Sequence, residues 1–68
     1  MQIHVNGEPR EVAEDYTAAQ LVEDMGLTGK RIAMELNHEI VPRSRYAEHH
    51  FQSGDSIEIV QAIGGGQI

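Results

Sequence analysis

The 68-residue sequence predicts an α+β fold, a mixed sheet wrapped around one main helix. Three observations predict it. Apolar residues alternate with period two near the start, in the middle and near the end of the chain. A single stripe of helical period lies between them. Asn-Gly, Asn-His and Ser-Gly-Asp punctuate the segments where a sheet would turn. A chain of this length holds one domain with one small core, near the size at which independent folding becomes marginal.

Ile3 and Val5 alternate with Gln2 and His4, and Asn6-Gly7 is the pair that most readily takes positive φ in a two-residue hairpin turn. A returning strand is expected through Arg10 to Ala13 with Val12 inward. Pro9 near its start implies an edge strand, since proline cannot donate to a central ladder. Thr17 to Gly26 is the predicted helix. Thr17 and Gln20 form a capping-box pattern, Gly26 supplies a left-handed stop, and Ala18, Leu21, Val22 and Met25 make one apolar stripe. Tyr16, just ahead of the cap, is placed to pack on Leu21 as a hydrophobic staple.

From Arg31 to Leu36 the period returns to two, with Ile32, Met34 and Leu36 on one face. Asn37-His38 turn the chain into a short strand, Glu39-Ile40-Val41, which Pro42 ends. Ser44 to Phe51 reads as a short helical or irregular crossover. Ser53-Gly54-Asp55 then turns into a last strand, Ser56 to Val60, with Ile57 and Ile59 in the core. This order matches a ubiquitin-like β-grasp domain. A ferredoxin-like arrangement needs a second substantial helix, which the polar Ser44 to Phe51 segment is too short to form.

Composition narrows the function. Five Lys and Arg against eleven Asp and Glu give a net charge of -6, which repels nucleic acid and anionic membranes and favours protein partners with basic surfaces. There is no cysteine, so neither disulfides nor thiolate metal ligation supports the core. The start of the sequence lacks a basic segment followed by a long apolar run, and no stretch approaches membrane-spanning length; a cytoplasmic protein is the expectation. Four histidines are present, but His49 and His50 are adjacent while His4 and His38 lie in separate elements, a poor ligand pattern. No metal site is expected, and the histidines read as exposed polar side chains. Arg43 and Arg45 read as surface salt-bridging groups.

The division is into residues 1–63 as the folded domain and 64–68 as a flexible glycine-rich tail. In Ala62-Ile63-Gly64-Gly65-Gly66-Gln67-Ile68 three consecutive glycines leave a thin, pliable peptide after the last strand. On the last strand Val60 and Ala62 have the parity opposite to Ile57 and Ile59. They are candidates, with Ile63, for an outer-face contact with a partner beside the exiting tail.

The sequence resembles the ThiS family of sulfur carrier proteins over nearly its whole length. The resemblance rests on Met1-Gln2-Ile3 with Asn6-Gly7-Glu8, Arg31-Ile32-Ala33 followed by Asn37, Ile40-Val41-Pro42-Arg43, Gly54-Asp55 and Ile63-Gly64-Gly65-Gly66. It implies a non-enzymatic carrier with no catalytic side chain and no bound cofactor. An E1-like adenylyltransferase would use ATP to convert the terminal glycine carboxylate to an acyl-adenylate. A sulfur donor system would turn that into a thiocarboxylate, and thiazole synthase would receive the sulfur in thiamin biosynthesis. Gly66 is then the attachment residue, and Gly64 and Gly65 are the stretch that enters partner active sites.

The family ends in Gly-Gly, whereas this sequence continues through Gln67-Ile68, so the resemblance implies removal of those two residues before activation. A β-branched isoleucine would otherwise stand at the reacting end. Three other readings use the same features: a molybdopterin-synthase small-subunit-like carrier, a ubiquitin-like protein modifier, and a β-grasp interaction module with an inert tail. Lys30, the one lysine, argues against lysine-linked chains of such a modifier.

Overall fold

In a computed structural model, which describes residues 1–61, the elements follow in the order β1 Gln2–Val5, β2 Glu8–Glu11, α1 Ala18–Asp24, β3 Ile32–Leu36, β4 Glu39–Val41, a 3-10 turn Arg43–Arg45, and β5 Ser56–Gln61. They form one sheet of order β2-β1-β5-β3-β4. The last strand is therefore the central one, parallel to β1 and antiparallel to β3. This mixed sheet with one helix is the ubiquitin-like β-grasp fold. Among the described residues no helix is long and apolar enough to cross a membrane.

The hairpin turn is as its residues dictate, with φ of 53° at Asn6 and 85° at Gly7. Its tightness shifts β2 from the expected position. A two-residue turn makes Val5 and Glu8 the closing pair, so the strand runs from Glu8 to Glu11 instead of from Arg10 to Ala13. Pro9 lies opposite His4 on an edge strand. Val12 falls just beyond the strand, half-buried, and its N–H donates to the Met1 carbonyl at 2.8 Å. The last strand runs one residue further than expected, to Gln61, because Gln61 still has Ile32 to pair with.

At the start of α1 the Thr17 hydroxyl accepts from Gln20 N–H at 3.2 Å, and the Gln20 side chain accepts from Thr17 N–H at 2.8 Å. Both halves of the capping box are made. At the other end Gly26, with φ of 72°, donates to Glu23 and Leu27 donates to Val22, the paired bonds of a Schellman stop. Seven helical residues could not persist in isolation; caps and a buried face hold them.

The helix stripe and the inward residues of the strands meet in one core. Ile3, Leu21, Met34 and Ile57 are its largest fully enclosed side chains, joined by Val5, Tyr16, Val41, Tyr46, Phe51 and Ile59. The crossover is strapped to the helix entrance: Phe51 N–H donates to Tyr16, and Ala18 and Ala19 donate to His49 and Tyr46. Irregular chain thereby closes the end of the core that the sheet leaves open.

Tyr16 enters this core with Leu21, as the staple reading expects, and makes a second attachment: its hydroxyl donates to the Asp24 carboxylate one helix length away. Burial, reinforced by the neighbouring carboxylate, pushes the Tyr16 phenol up to about 12. The unfolded chain titrates near the ordinary value of about 10. The resulting stabilisation is complete below pH 10 and is lost as the pH rises through 12, since the unfolded state sheds its proton first. Tyr16→Phe is expected to flatten this alkaline decline and to cost about 1 kcal/mol at neutral pH through the lost hydrogen bond. Urea titrations at pH 7, 9 and 11 measure both effects. Tyr46, also raised by burial, supplies the decline that remains.

Candidate functional site

The site is the end of β5 and the sheet face beside it. A central strand is paired on both flanks, so its direction is fixed by two neighbours. Along its length β5 is matched residue for residue with β3, from Leu36 opposite Ile57 to Ile32 opposite Gln61. The described part of this ladder ends at Gln61. Ala62, Ile63, Gly64, Gly65, Gly66, Gln67 and Ile68 lie outside the described residues, and with them the tail and the 63/64 boundary expected from the sequence.

Two asparagines anchor the start and middle of β5. Asn6 N–H donates to the Ile57 carbonyl at 2.8 Å, and its side-chain oxygen accepts from Ile59 N–H at 2.8 Å. The side chain thus extends the parallel β1–β5 ladder past the point where β1 turns away. Asn37 accepts from Ser56 N–H at 3.0 Å and donates to the Asp55 carboxylate at 3.3 Å. Both residues take positive φ, 53° and 50°, which asparagine tolerates better than most side chains. Sequence reasoning found them as turn formers and missed the clamp on β5. No signal in the sequence marks it, since only the sheet order brings these two turns beside the last strand.

On the outer face of the sheet Val60 is 63% exposed, while Ile57 and Ile59 turn inward to the core. The opposite parity read from the sequence is what the strand adopts. Val60 pairs with Ala33, Glu58 with Glu35, and Glu35 with Ile40, itself 64% exposed. Val60 and Ile40 are the exposed large apolar residues among those described.

The remaining candidates are structural. Arg43 donates from its guanidinium to the Lys30 carbonyl at 2.7 Å, tying the 3-10 turn to the loop before β3, whereas Arg45 makes the surface ion pair, with Glu48 at 3.5 Å. His38 and His50 are exposed as expected. His4 and His49 depart from that expectation and are half-buried. His49 lies edge-on to Phe51 at 5.7 Å, and its Nε2 is enclosed without a hydrogen-bond partner. The crossover's attachment to the helix draws this ring inward. Among the described residues no group of three or more His, Asp or Glu is arranged to hold a metal.

A β-grasp body whose central last strand leads into a glycine-rich segment is the architecture of the small ubiquitin-like proteins that act through their C-terminal end. The ThiS family model matches residues 3–66, and the chain belongs to the ThiS family. It is 36% identical to the sulfur carrier protein ThiS of Escherichia coli, over 97% of this chain and 100% of that protein. It is 41% identical to a region of the thiazole synthase of Paramagnetospirillum magneticum, over 97% of this chain and 20% of that protein. The chain thus spans about one fifth of the thiazole synthases it matches. The crystal structure of the thiamine biosynthesis protein ThiS from Geobacter metallireducens superposes with a TM-score of 0.81 at 29% identity, covering 97% of this chain and all of that one.

Proposed function

We propose that the chain is a cytoplasmic sulfur carrier of thiamin biosynthesis, a protein co-substrate and not an enzyme, loaded at Gly66 after loss of Gln67 and Ile68. The observation that carries this reading is the family match, which extends through the glycines and stops at Gly66. A free carboxylate is a poor acyl electrophile. An E1-like adenylyltransferase spends ATP to join AMP to the Gly66 carboxylate, releasing pyrophosphate. A persulfide of the sulfur donor system then displaces AMP, and a thiol cleaves the resulting acyl disulfide to leave a thiocarboxylate. Gly64 and Gly65 carry this group into the partner's active site. Val60, with Ala62 and Ile63, contributes to the docking face. Thiazole synthase as the recipient is supported by relatives bearing that name, in which a region like this chain makes up about one fifth of the length.

The carrier's contribution is presentation. It has no cysteine, so sulfur can be held only at a chemically altered position such as the terminal carboxylate, and no thiol of its own competes for it. The test is the intact mass of the full 68-residue chain and of a chain ending at Gly66, each incubated with ATP, the cognate adenylyltransferase and a persulfide donor. One sulfur-for-oxygen exchange in the shorter chain alone is expected. Exchange in neither chain would overturn the carrier reading, and exchange in the full chain without loss of two residues would overturn the trimming step.

A further inference from the structure

The outer face of the sheet carries a charge arrangement that the fold does not need. Glu35 on β3 and Glu58 on β5 are directly opposite partners. Cross-strand neighbours place their Cβ atoms about 5 Å apart, and like charges so placed destabilise the sheet that holds them. Neither glutamate takes part in the ion pairs of the described residues, which join Met1 with Glu14 and Arg45 with Glu48. Arg10, the one Lys or Arg within a strand, pairs with Ile3 on the helix side. Arg31 stands ahead of β3, beyond Ala33. The acidic pair is bordered by Val60 and Ala33 in one direction and by Ile40 in the other, so two uncompensated carboxylates sit between the two large exposed apolar side chains.

We propose that this face is the recognition surface for a protein partner that presents a basic side chain, arginine or lysine, within an apolar collar: the cation seats between Glu35 and Glu58 while the collar covers Val60 and Ile40. The proposal rests on the carrier reading and specifies how the activating enzyme recognises the carrier. Charge complementarity selects the occupant. A second copy of this chain would bring a second acidic pair onto the first, and nucleic acid or an anionic membrane would be repelled by the same carboxylates and by the net charge of -6. A guanidinium satisfies two carboxylates at once because its donors fork in a plane. The repulsion tolerated in the free protein is relieved on docking, so recognition and stability are set against each other at these two positions.

The experiment uses the chain ending at Gly66 with the cognate adenylyltransferase, ATP and a persulfide donor, and follows thiocarboxylate formation by mass against carrier concentration at two ionic strengths. For the Glu35→Gln, Glu58→Gln double variant, KM is expected to rise about tenfold with kcat unchanged, and the salt dependence of KM to flatten. The free variant is expected to melt higher, by about 2 °C, because the like-charge pair is gone. A merely structural role would not weaken binding to the enzyme while raising the melting temperature. If the wild-type chain is loaded and the variant shows the same KM and salt dependence, the proposal is wrong while the carrier reading stands. If the wild-type chain is never loaded, both fall.

Discussion

Replacing Gly65 by valine in a chain ending at Gly66 is expected to lower thiocarboxylate formation about a hundredfold while leaving the melting temperature unchanged. The size follows from geometry at the reacting carbon: displacing an acyl group by about 1 Å from its line of attack costs about two orders of magnitude. Valine does this in two ways. On the carrier reading its two γ-carbons need width that a partner channel admitting glycine would lack, and its branched Cβ removes backbone conformations that glycine samples freely. Gly65 follows β5 in the sequence, and the core cluster of the described residues is built from positions up to Ile59, so the folded domain should not register the change. The measurement is a single-turnover mass assay alongside a thermal melt. A valine variant loaded at the wild-type rate would show that the glycines are not what the activating enzyme reads.

Ile57→Ala is expected to cost about 3 kcal/mol and to bring the domain close to unfolding at 37 °C. Ile57 is fully enclosed and sits on the central strand, opposite Val5 on one side and Leu36 on the other. Deleting its outer carbons forfeits their transfer free energy and leaves a cavity in a sheet that cannot collapse around it, because both flanking strands hold β5 in register. A domain of this size has about 3–10 kcal/mol in total, so one such loss removes a large part of it. Urea denaturation monitored by circular dichroism measures the change. The β5 amides should also exchange with solvent sooner, and the strand that leads to the tail would lose its fixed direction.

Much of the fold was legible because its signals are local. Asn6-Gly7 specifies a turn by its own backbone preference, and Thr17, Gln20 and Gly26 bound the helix through bonds within four or five residues. The alternation of Ile57 and Ile59 with Val60 told inner face from outer, since strand parity is a property of one strand. The position of β2 was misread by two residues because Val12 is apolar and drew the strand toward itself, while the closing pair of the hairpin decides where a strand begins. His49 was read as exposed because a polar ring beside a second histidine gives no sign that the crossover folds against the helix entrance.

The sequence by itself determined the turns, the helix and its caps, the inward and outward faces of β1, β3 and β5, and the family to which the chain belongs. These depend on interactions reaching a few residues, or on the order of motifs along the chain. Only the tertiary structure decided that the last strand is the central one, that Asn6 and Asn37 clamp it, and that Glu35 faces Glu58. Each of these joins residues between 19 and 53 positions apart or depends on which strands become neighbours. Register between distant strands is set by how their apolar sides fill one shared core, and no single segment carries that information.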